Sequence, residues 1–208
     1  TRRATEISGA DNTLLGDDKG DIKQKIFNAV LSTQITEGLA FYVSFACSYF
    51  FGYKGKMEGN AKIIGLIARD ENLHAAITQN IIKYWRENED EGFQQVVKDN
   101  EQKIYDMYGL AVENEKKWAD YLFSNGSLLG LNADVLKGYI EWLANTRLRS
   151  LGYDKIFDQT TNPIGGWLNS YTDSSKVQVA PQETEISSYK IGARDTEINE
   201  QEFEDFNL

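Results

Sequence analysis

The only histidine of the chain, His74, follows Glu71 at a spacing that lets both side chains bind one metal ion. Residues i and i+3 of a helix lie on the same face. A further glutamate, Glu37, lies in another apolar stretch. Helical bundles with two iron or manganese ions take a Glu from each of two helices and a Glu-x-x-His pair from each of the other two. These three residues therefore match half of a dinuclear site: either the pattern is a coincidence or the other half lies on another chain.

The two glutamates lie where a free charge would be costly. Glu71 falls on an apolar helical stripe, and Glu37 precedes Phe41 and Phe45. A carboxylate in an apolar site must be paired or bound to a metal. Two carboxylates and one imidazole suit iron or manganese better than zinc. Phe41, Phe45 and Ile67 would either line a dry pocket beside the metal or belong to the ordinary core. Cys47 is expected to be a small buried hydrophobe.

The apolar spacing predicts four helices that would position these residues. They cover about residues 21–51, 60–87, 91–123 and 132–152. Gly52 and Gly55 interrupt the first pattern, and Asn132 with Asp134 is typical of a helix N-terminus. No segment sustains a strand-like alternation, so the fold is predicted to be all-α.

Composition restricts the class of protein. The chain has 208 residues, 41% of them hydrophobic, which allows one domain with an appendage. A net charge of −10 argues against nucleic-acid binding. No apolar run reaches the length of a membrane span. The single cysteine, Cys47, excludes an intrachain disulfide and fits a reducing, cytoplasmic location.

The distribution of apolar and charged residues divides the chain into three parts. Residues 1–20 are predicted to be a polar loop, 21–172 a helical half-bundle, and 173–208 an acidic tail. Residues 183–208 hold eight acidic and two basic side chains and few apolar ones. Such a segment is expected to be flexible and solvated, and to dock a partner through Phe203, Phe206 and Leu208.

Six segments carry a resemblance to a known family. They are TEGLAFYVSFACS at 36–48, MEGNAKII at 57–64, IARDENLH at 67–74, KWADYLF at 117–123, NPI at 162–164 and VQVAPQE at 177–183. In this order they resemble the small, radical-generating subunit of class I ribonucleotide reductase, from about residue 22 to the C-terminus; residues 1–20 match poorly. The resemblance implies a ferritin-like di-metal carboxylate bundle, its C-terminal half, with a flexible tail.

The resemblance also implies roles for individual residues. Glu37, Glu71 and His74 would bind the metals. Phe41, Phe45 and Ile67 would line the hydrophobic pocket around the radical, and Ser44 would lie where dioxygen approaches.

A second set of residues would move the radical out of the subunit. Asp70 would hydrogen-bond a histidine ligand outside this chain, which fixes the tautomer of that imidazole, and would belong to the radical-transfer route. Tyr189 would be the relay tyrosine of the tail, with Glu183 as its companion at the interface. The last residues would dock on the large subunit.

The family's first carboxylate ligand, first Glu-x-x-His pair and radical tyrosine normally precede the region that this chain covers. The resemblance therefore implies the C-terminal fragment of a split subunit, active only with an N-terminal fragment and the large subunit. Two copies of each fragment would form the dimer. Two iron ions are expected, with Mn/Fe or Mn/Mn as the other options, shared between the fragments. Both glutamates are present, which disfavours the metal-free variants of the family.

Two other functions fit the same residues. The chain could be half of another ferritin-like di-iron oxygenase or ferroxidase, or an inactive decoy that binds the large subunit. A split gene suggests a phage or another genome rich in mobile elements, and a phage-encoded protein would act in the host cytoplasm.

Overall fold

The computed structural model describes residues 19–89 and 91–172, and within them the chain folds into helices joined by short turns. The helices are α1 Lys19–Gly38, α2 Tyr42–Tyr53, α3 Glu58–Glu87, α4 Phe93–Asp99, α5 Glu101–Leu122, α6 Ala133–Ser150 and α7 Gly165–Thr172. The described residues contain no strand beyond one isolated bridge between Leu128 and Leu131. The predicted all-α fold is confirmed. No helix in this part of the chain is long and apolar enough to cross a membrane.

The prediction of one helix over 21–51 was wrong, because the chain breaks between α1 and α2. Phe41 adopts a left-handed conformation with φ 74°, which costs free energy for a bulky residue. Leu39 and Ala40 are buried at this break, and their burial offsets the cost. The break lets α2 leave the axis of α1, so that Glu37 lies in the last turn of a helix.

The prediction of one helix over 91–123 was also wrong. Helices α4 and α5 meet at Asn100, which has the non-helical values φ −107° and ψ 15°. The side-chain amides of Asn100 and Gln24 hydrogen-bond each other in both directions, at 2.8 and 3.0 Å. The bend therefore attaches this part of the chain to α1. Helix α7 was not predicted at all.

The predicted start of α6 is confirmed. The side chain of Asn132 accepts a hydrogen bond of 2.9 Å from the backbone N–H of Val135. This satisfies one of the donors that a helix N-terminus leaves without an intrahelical partner.

The core lies between α1, α3, α5 and α6. Its fully buried large side chains include Phe27, Leu31, Ile82, Ile104, Tyr108, Leu136, Ile140 and Leu148. Burial of each such side chain stabilises the fold by about 1.5–3 kcal/mol. The packing holds α1 against the middle of α3, which is the contact that forms the candidate site.

One stripe of α3 stays exposed in the described part of the chain. Ile63, Ile67 and Ile77 lie at helical spacing on it and are 52%, 40% and 52% exposed. Asp70 and His74 fall on the same stripe and are also exposed. We call these five residues the α3 stripe. A row of exposed isoleucines indicates a surface that another segment covers.

The predicted domain limits stay a prediction. The loop predicted over 1–20 lies outside the described residues except at its last two positions, and the acidic tail predicted over 173–208 lies wholly outside them.

Candidate metal centre

The structure brings Glu37, Glu71 and His74 together. Glu37 lies in the last turn of α1, and the other two lie in the middle of α3. Nδ1 of His74 is 3.3 Å from Oε2 of Glu37 and 3.1 Å from Oε2 of Glu71. One ligand atom from each residue falls within 4.8 Å of the others. One small cation can reach all three.

The position of Glu37 concentrates negative charge. The C-terminus of a helix carries a partial negative charge, which disfavours a carboxylate and favours a cation. The last turn of α1 holds no basic side chain. Glu37, Glu71 and the end of α1 therefore place negative charge in one small volume.

The three side chains perturb one another's pKa values. The pKa of Glu37 is raised, mainly because it hydrogen-bonds to Glu71 and also because of burial. The pKa of Glu71 is lowered by its hydrogen bond with Glu37, and the pKa of His74 is raised by its hydrogen bonds to Glu71 and then Glu37. Two carboxylates that share a site disfavour double ionisation. A metal ion can replace the protons that otherwise relieve this repulsion.

The donor set fits a hard or borderline metal ion, since two carboxylate oxygens and one imidazole nitrogen suit iron or manganese. The side chains of Glu37 and Glu71 are 24% and 22% exposed, and that of His74 is 54% exposed. The cluster thus opens on the surface beside the isoleucines of the α3 stripe. Three donors leave positions open on an ion of octahedral preference, so further ligands must come from outside this cluster.

The predicted pocket residues do not form a closed pocket within the described residues. Phe45 is buried, whereas Phe41 and Ile67 are 49% and 40% exposed. Ser44 accepts a hydrogen bond of 2.9 Å from the indole N–H of Trp118. Phe41, Ser44 and Trp118 line an open groove of about 530 Å³. The roles of the four predicted residues stay a prediction that requires a covering segment.

The residues predicted for radical transfer are only partly described. Asp70 is exposed on the α3 stripe, at the edge of a cavity of about 620 Å³ that Phe45 also lines. Its hydrogen bond to a histidine ligand stays a prediction, because His74 is the only histidine of the given sequence. Tyr189 and Glu183 lie outside the described residues.

Cys47 does not belong to the cluster. It is half-buried and packs against the core. Burial raises the pKa of its thiol to about 11. It behaves as the small hydrophobe that its sequence context predicts.

Sequence reasoning missed a buried polar contact behind the cluster. The hydroxyl of Thr78 donates a hydrogen bond of 2.6 Å to Oε1 of Gln34, and both side chains are buried. The same hydroxyl lies 3.1 Å from the carbonyl oxygen of His74. Gln34 precedes Glu37 by three residues and Thr78 follows His74 by four, so helical spacing could have identified both.

A second missed feature joins four helices beside the ligands. Arg147 of α6 donates from Nε to the carbonyl oxygen of Gly38 at 3.1 Å. Its Nη2 donates to Oδ1 of Asn72 at 2.7 Å and to the hydroxyl oxygen of Tyr42 at 3.1 Å. The Tyr42 hydroxyl donates to the same Asn72 oxygen at 2.9 Å. No local pattern could have indicated this network, because Arg147 lies far along the chain from its partners.

Comparison with known proteins adds an independent finding. Residues 7–163 match the family model described as "Ribonucleotide reductase, small chain". The match begins at residue 7, whereas the resemblance was expected to begin at about residue 22.

Individual relatives agree with the family match. The chain is 46% identical over 188 residues to the ribonucleoside-diphosphate reductase subunit beta of Buchnera aphidicola subsp. Schizaphis graminum, covering 90% of this chain and 50% of the relative. It is 34% identical over 185 residues to the subunit beta of Enterobacteria phage T4, covering 88% and 48%. The solved ribonucleotide reductase R2 subunit from Clostridium botulinum superposes with a TM-score of 0.68 at 27% identity, covering 82% of this chain and 52% of that one. The chain spans about half the length of the curated relatives it matches.

Proposed function

The chain belongs to the ribonucleotide reductase small-chain family, and from this membership we propose that it supplies part of the dinuclear metal site of a ribonucleoside-diphosphate reductase small subunit. The observation that carries the proposal is the convergence of Glu37, Glu71 and His74 within 4.8 Å. Their donor set and their spacing match one half of a carboxylate-bridged metal pair. The substrates of the assembled enzyme would be ribonucleoside diphosphates.

Each of the three side chains has a role in binding. Glu37 and Glu71 would neutralise the metal charge with carboxylate oxygens, and His74 would bind through Nδ1, the nitrogen that faces both carboxylates. Two iron ions are the first choice, with Mn/Fe and Mn/Mn as the alternatives. When bound, the metal pair would supply the redox chemistry with dioxygen that generates a protein radical. Phe41, Phe45 and Ile67 would exclude water from it, beside Ser44.

The remaining ligands would come from a segment that this sequence does not include. It would bring the first carboxylate ligand, the first Glu-x-x-His pair and the radical tyrosine of the family. The exposed isoleucines of the α3 stripe support this proposal, because such a segment would bury them together with His74 and Asp70.

The partners follow from the same proposal. A second copy would complete a dimer, and the acidic tail with Glu183, Tyr189 and Leu208 would dock on the large subunit. Asp70 and Tyr189 would carry the radical between the subunits. The relatives reported above are named as ribonucleoside-diphosphate reductases, which does not favour an oxygenase or ferroxidase. A decoy would have no need of a converged ligand cluster.

Metal content and low-temperature electron paramagnetic resonance of the assembled subunit test the metal proposal. We expect about two metals per copy in the wild type and a loss of metal in Glu71→Gln. Glu87→Gln is the matched control, because Glu87 lies exposed on the same helix and pairs with Lys83 away from the cluster. Full metal content in Glu71→Gln would overturn the proposed site.

The tail requires a separate experiment. Replacing Tyr189 with Phe removes the phenol that would carry the radical but keeps the ring. We expect loss of nucleotide reduction in the complex with the large subunit, with an unchanged metal content and resonance spectrum. Unchanged nucleotide reduction would refute the relay and favour a different di-metal function.

A further inference from the structure

We propose that Arg147 is a positioning residue that holds Glu37 and Glu71 at their metal-binding separation. It acts through Gly38 and Asn72, the residues that follow the two glutamates in sequence. The inference rests on the proposed metal site and adds a residue of a distant helix to it.

The first connection fixes the end of α1. The carbonyl oxygen of Gly38 is one of the last four of the helix, which lack intrahelical partners. Nε of Arg147 donates to it at 3.1 Å. A cationic donor at a helix C-terminus also offsets the partial negative charge there. Glu37 lies one residue earlier, so this bond sets where its backbone stands.

The second connection fixes the middle of α3. Nη2 of Arg147 donates to the Asn72 side chain at 2.7 Å, a short distance typical of charge-assisted hydrogen bonds. Tyr42 closes the triangle, since its hydroxyl oxygen accepts from Nη2 and donates to the same Asn72 oxygen. Tyr42 is buried, whereas Asn72 is exposed. Glu71 lies one residue before Asn72.

The guanidinium of Arg147 is well suited to hold several groups in fixed positions. A guanidinium is planar and carries its donors in a fixed fork, so bonds to several groups also fix their relative orientation. Arg147 thereby ties α1, α2 and α3 to α6. These hydrogen bonds do not use the carboxylate oxygens of Glu37 and Glu71, which stay available to a metal ion.

The cluster needs such a restraint. Glu37 lies in the last turn of α1 and Glu71 lies in the middle of α3, so the separation of the two side chains depends on how these helices pack. A site must hold its ligands within about 0.5 Å of the binding geometry to bind well. The hydrogen bonds from Arg147 to the residues next to both glutamates fix this separation.

Metal titration of the assembled small subunit, after removal of its metal by chelation, tests the inference. We would add Co²⁺ and record both the dissociation constant and the visible absorption spectrum, which reports ligand geometry. Changes in groups that orient metal ligands weaken metal binding by about 10- to 100-fold. We expect a loss in this range and an altered spectrum in Arg147→Gln, with partial recovery in Arg147→Lys, which restores the charge but not the fork.

Arg149→Gln is the matched control. It makes the same charge change two residues along α6, where Arg149 bonds the carbonyl oxygen of Asn145 on its own helix at 3.3 Å. We expect wild-type affinity and spectrum. If Arg147→Gln does not fold, Asn72→Ala tests the same connection from an exposed position and should show the same loss.

The outcomes separate this inference from the proposed function. If Glu71→Gln binds Co²⁺ like the wild type, the proposed site itself is wrong. If Glu71→Gln loses Co²⁺ but Arg147→Gln and Asn72→Ala keep wild-type affinity and spectrum, the positioning role is wrong and the site stands. A lower melting temperature with unchanged affinity and spectrum would likewise reduce Arg147 to a purely structural role.

Discussion

Replacing Glu37 with Gln is expected to stabilise the metal-free protein while it removes a metal ligand. The pKa of Glu37 is raised by its hydrogen bond to Glu71 and by burial. A raised carboxyl pKa means that the folded state disfavours the ionised form relative to the unfolded state. Glutamine keeps the shape of the protonated side chain and carries no charge.

The distance between the two carboxylates determines how much Glu37→Gln should stabilise the metal-free protein. The ligand atoms lie within 4.8 Å of one another. Two unit charges at this upper limit of 4.8 Å repel by about 0.9 kcal/mol in water and by about 3.5 kcal/mol at an effective dielectric constant of 20. Since about a quarter of each side chain is exposed, solvent screens the pair. We expect a stabilisation of about 1–2 kcal/mol at neutral pH.

The stabilisation by Glu37→Gln should depend on pH. Below the unfolded-state pKa, near 4.5, Glu37 is protonated in both states and Glu37→Gln should match the wild type. As pH rises through the raised pKa of the folded state, the wild type loses the stability that Glu37 contributes when protonated. The advantage of the variant therefore appears with rising pH.

Urea unfolding of the chelated assembly provides the assay. The wild type, Glu37→Gln, Glu71→Gln and the double variant form a cycle whose coupling energy isolates the repulsion. Glu87→Gln, on the exposed part of α3, serves as the control. Added metal should reverse the order, because binding to the folded wild type stabilises it by mass action. A coupling energy near zero, or destabilisation in metal-free Glu37→Gln, would refute the reasoning.

Four further predictions concern the scaffold. Burial raises the pKa of the Cys47 thiol to about 11. Its reaction with a thiol reagent at pH 8 should therefore be about 100-fold slower than that of an ordinary thiol. Equal reaction rates in the native and the urea-unfolded protein would contradict this prediction. Asn145→Ala removes four hydrogen bonds to the backbone of residues 156–159. It should lower the free energy of unfolding in urea by about 2–4 kcal/mol, and a loss below about 1 kcal/mol would contradict this prediction. Gly52→Ala should destabilise by about 1–3 kcal/mol, because its Cβ would lie 2.7 Å from a neighbouring side-chain carbon. A Cβ at Gly109 would meet open space, so Gly109→Ala should stabilise α5 by about 0.5–1 kcal/mol. Equal melting temperatures for Gly52→Ala and Gly109→Ala would contradict both predictions.

The features predicted correctly from sequence depend on contacts within a few residues. Glu71 and His74 share a face because of the helical repeat. Asn132 caps α6 because its side chain reaches a backbone N–H three residues on. Glu37 could be singled out because a carboxylate in an apolar stretch requires a partner, although the spacing did not state which one.

The features that escaped prediction depend on distant parts of the chain. Gly38, at the end of α1, was the one local signal of the turn, since no glycine or proline lies at residues 39–41. Its left-handed backbone is stable because Leu39 and Ala40 become buried there. Asn100 ends a helix where it can bond Gln24 of α1.

The all-helical fold could be predicted because helical periodicity is a local property, and the family could be predicted because six short segments resemble it. The candidate ligands could be singled out by their chemistry and spacing. Only the packing of the helices brings Glu37 to Glu71 and His74, and only this packing lets Arg147 connect the residues next to both glutamates. Those distances depend on how helices pack across the core. The free energy of that packing is a sum over side chains far apart in sequence, which no short motif contains.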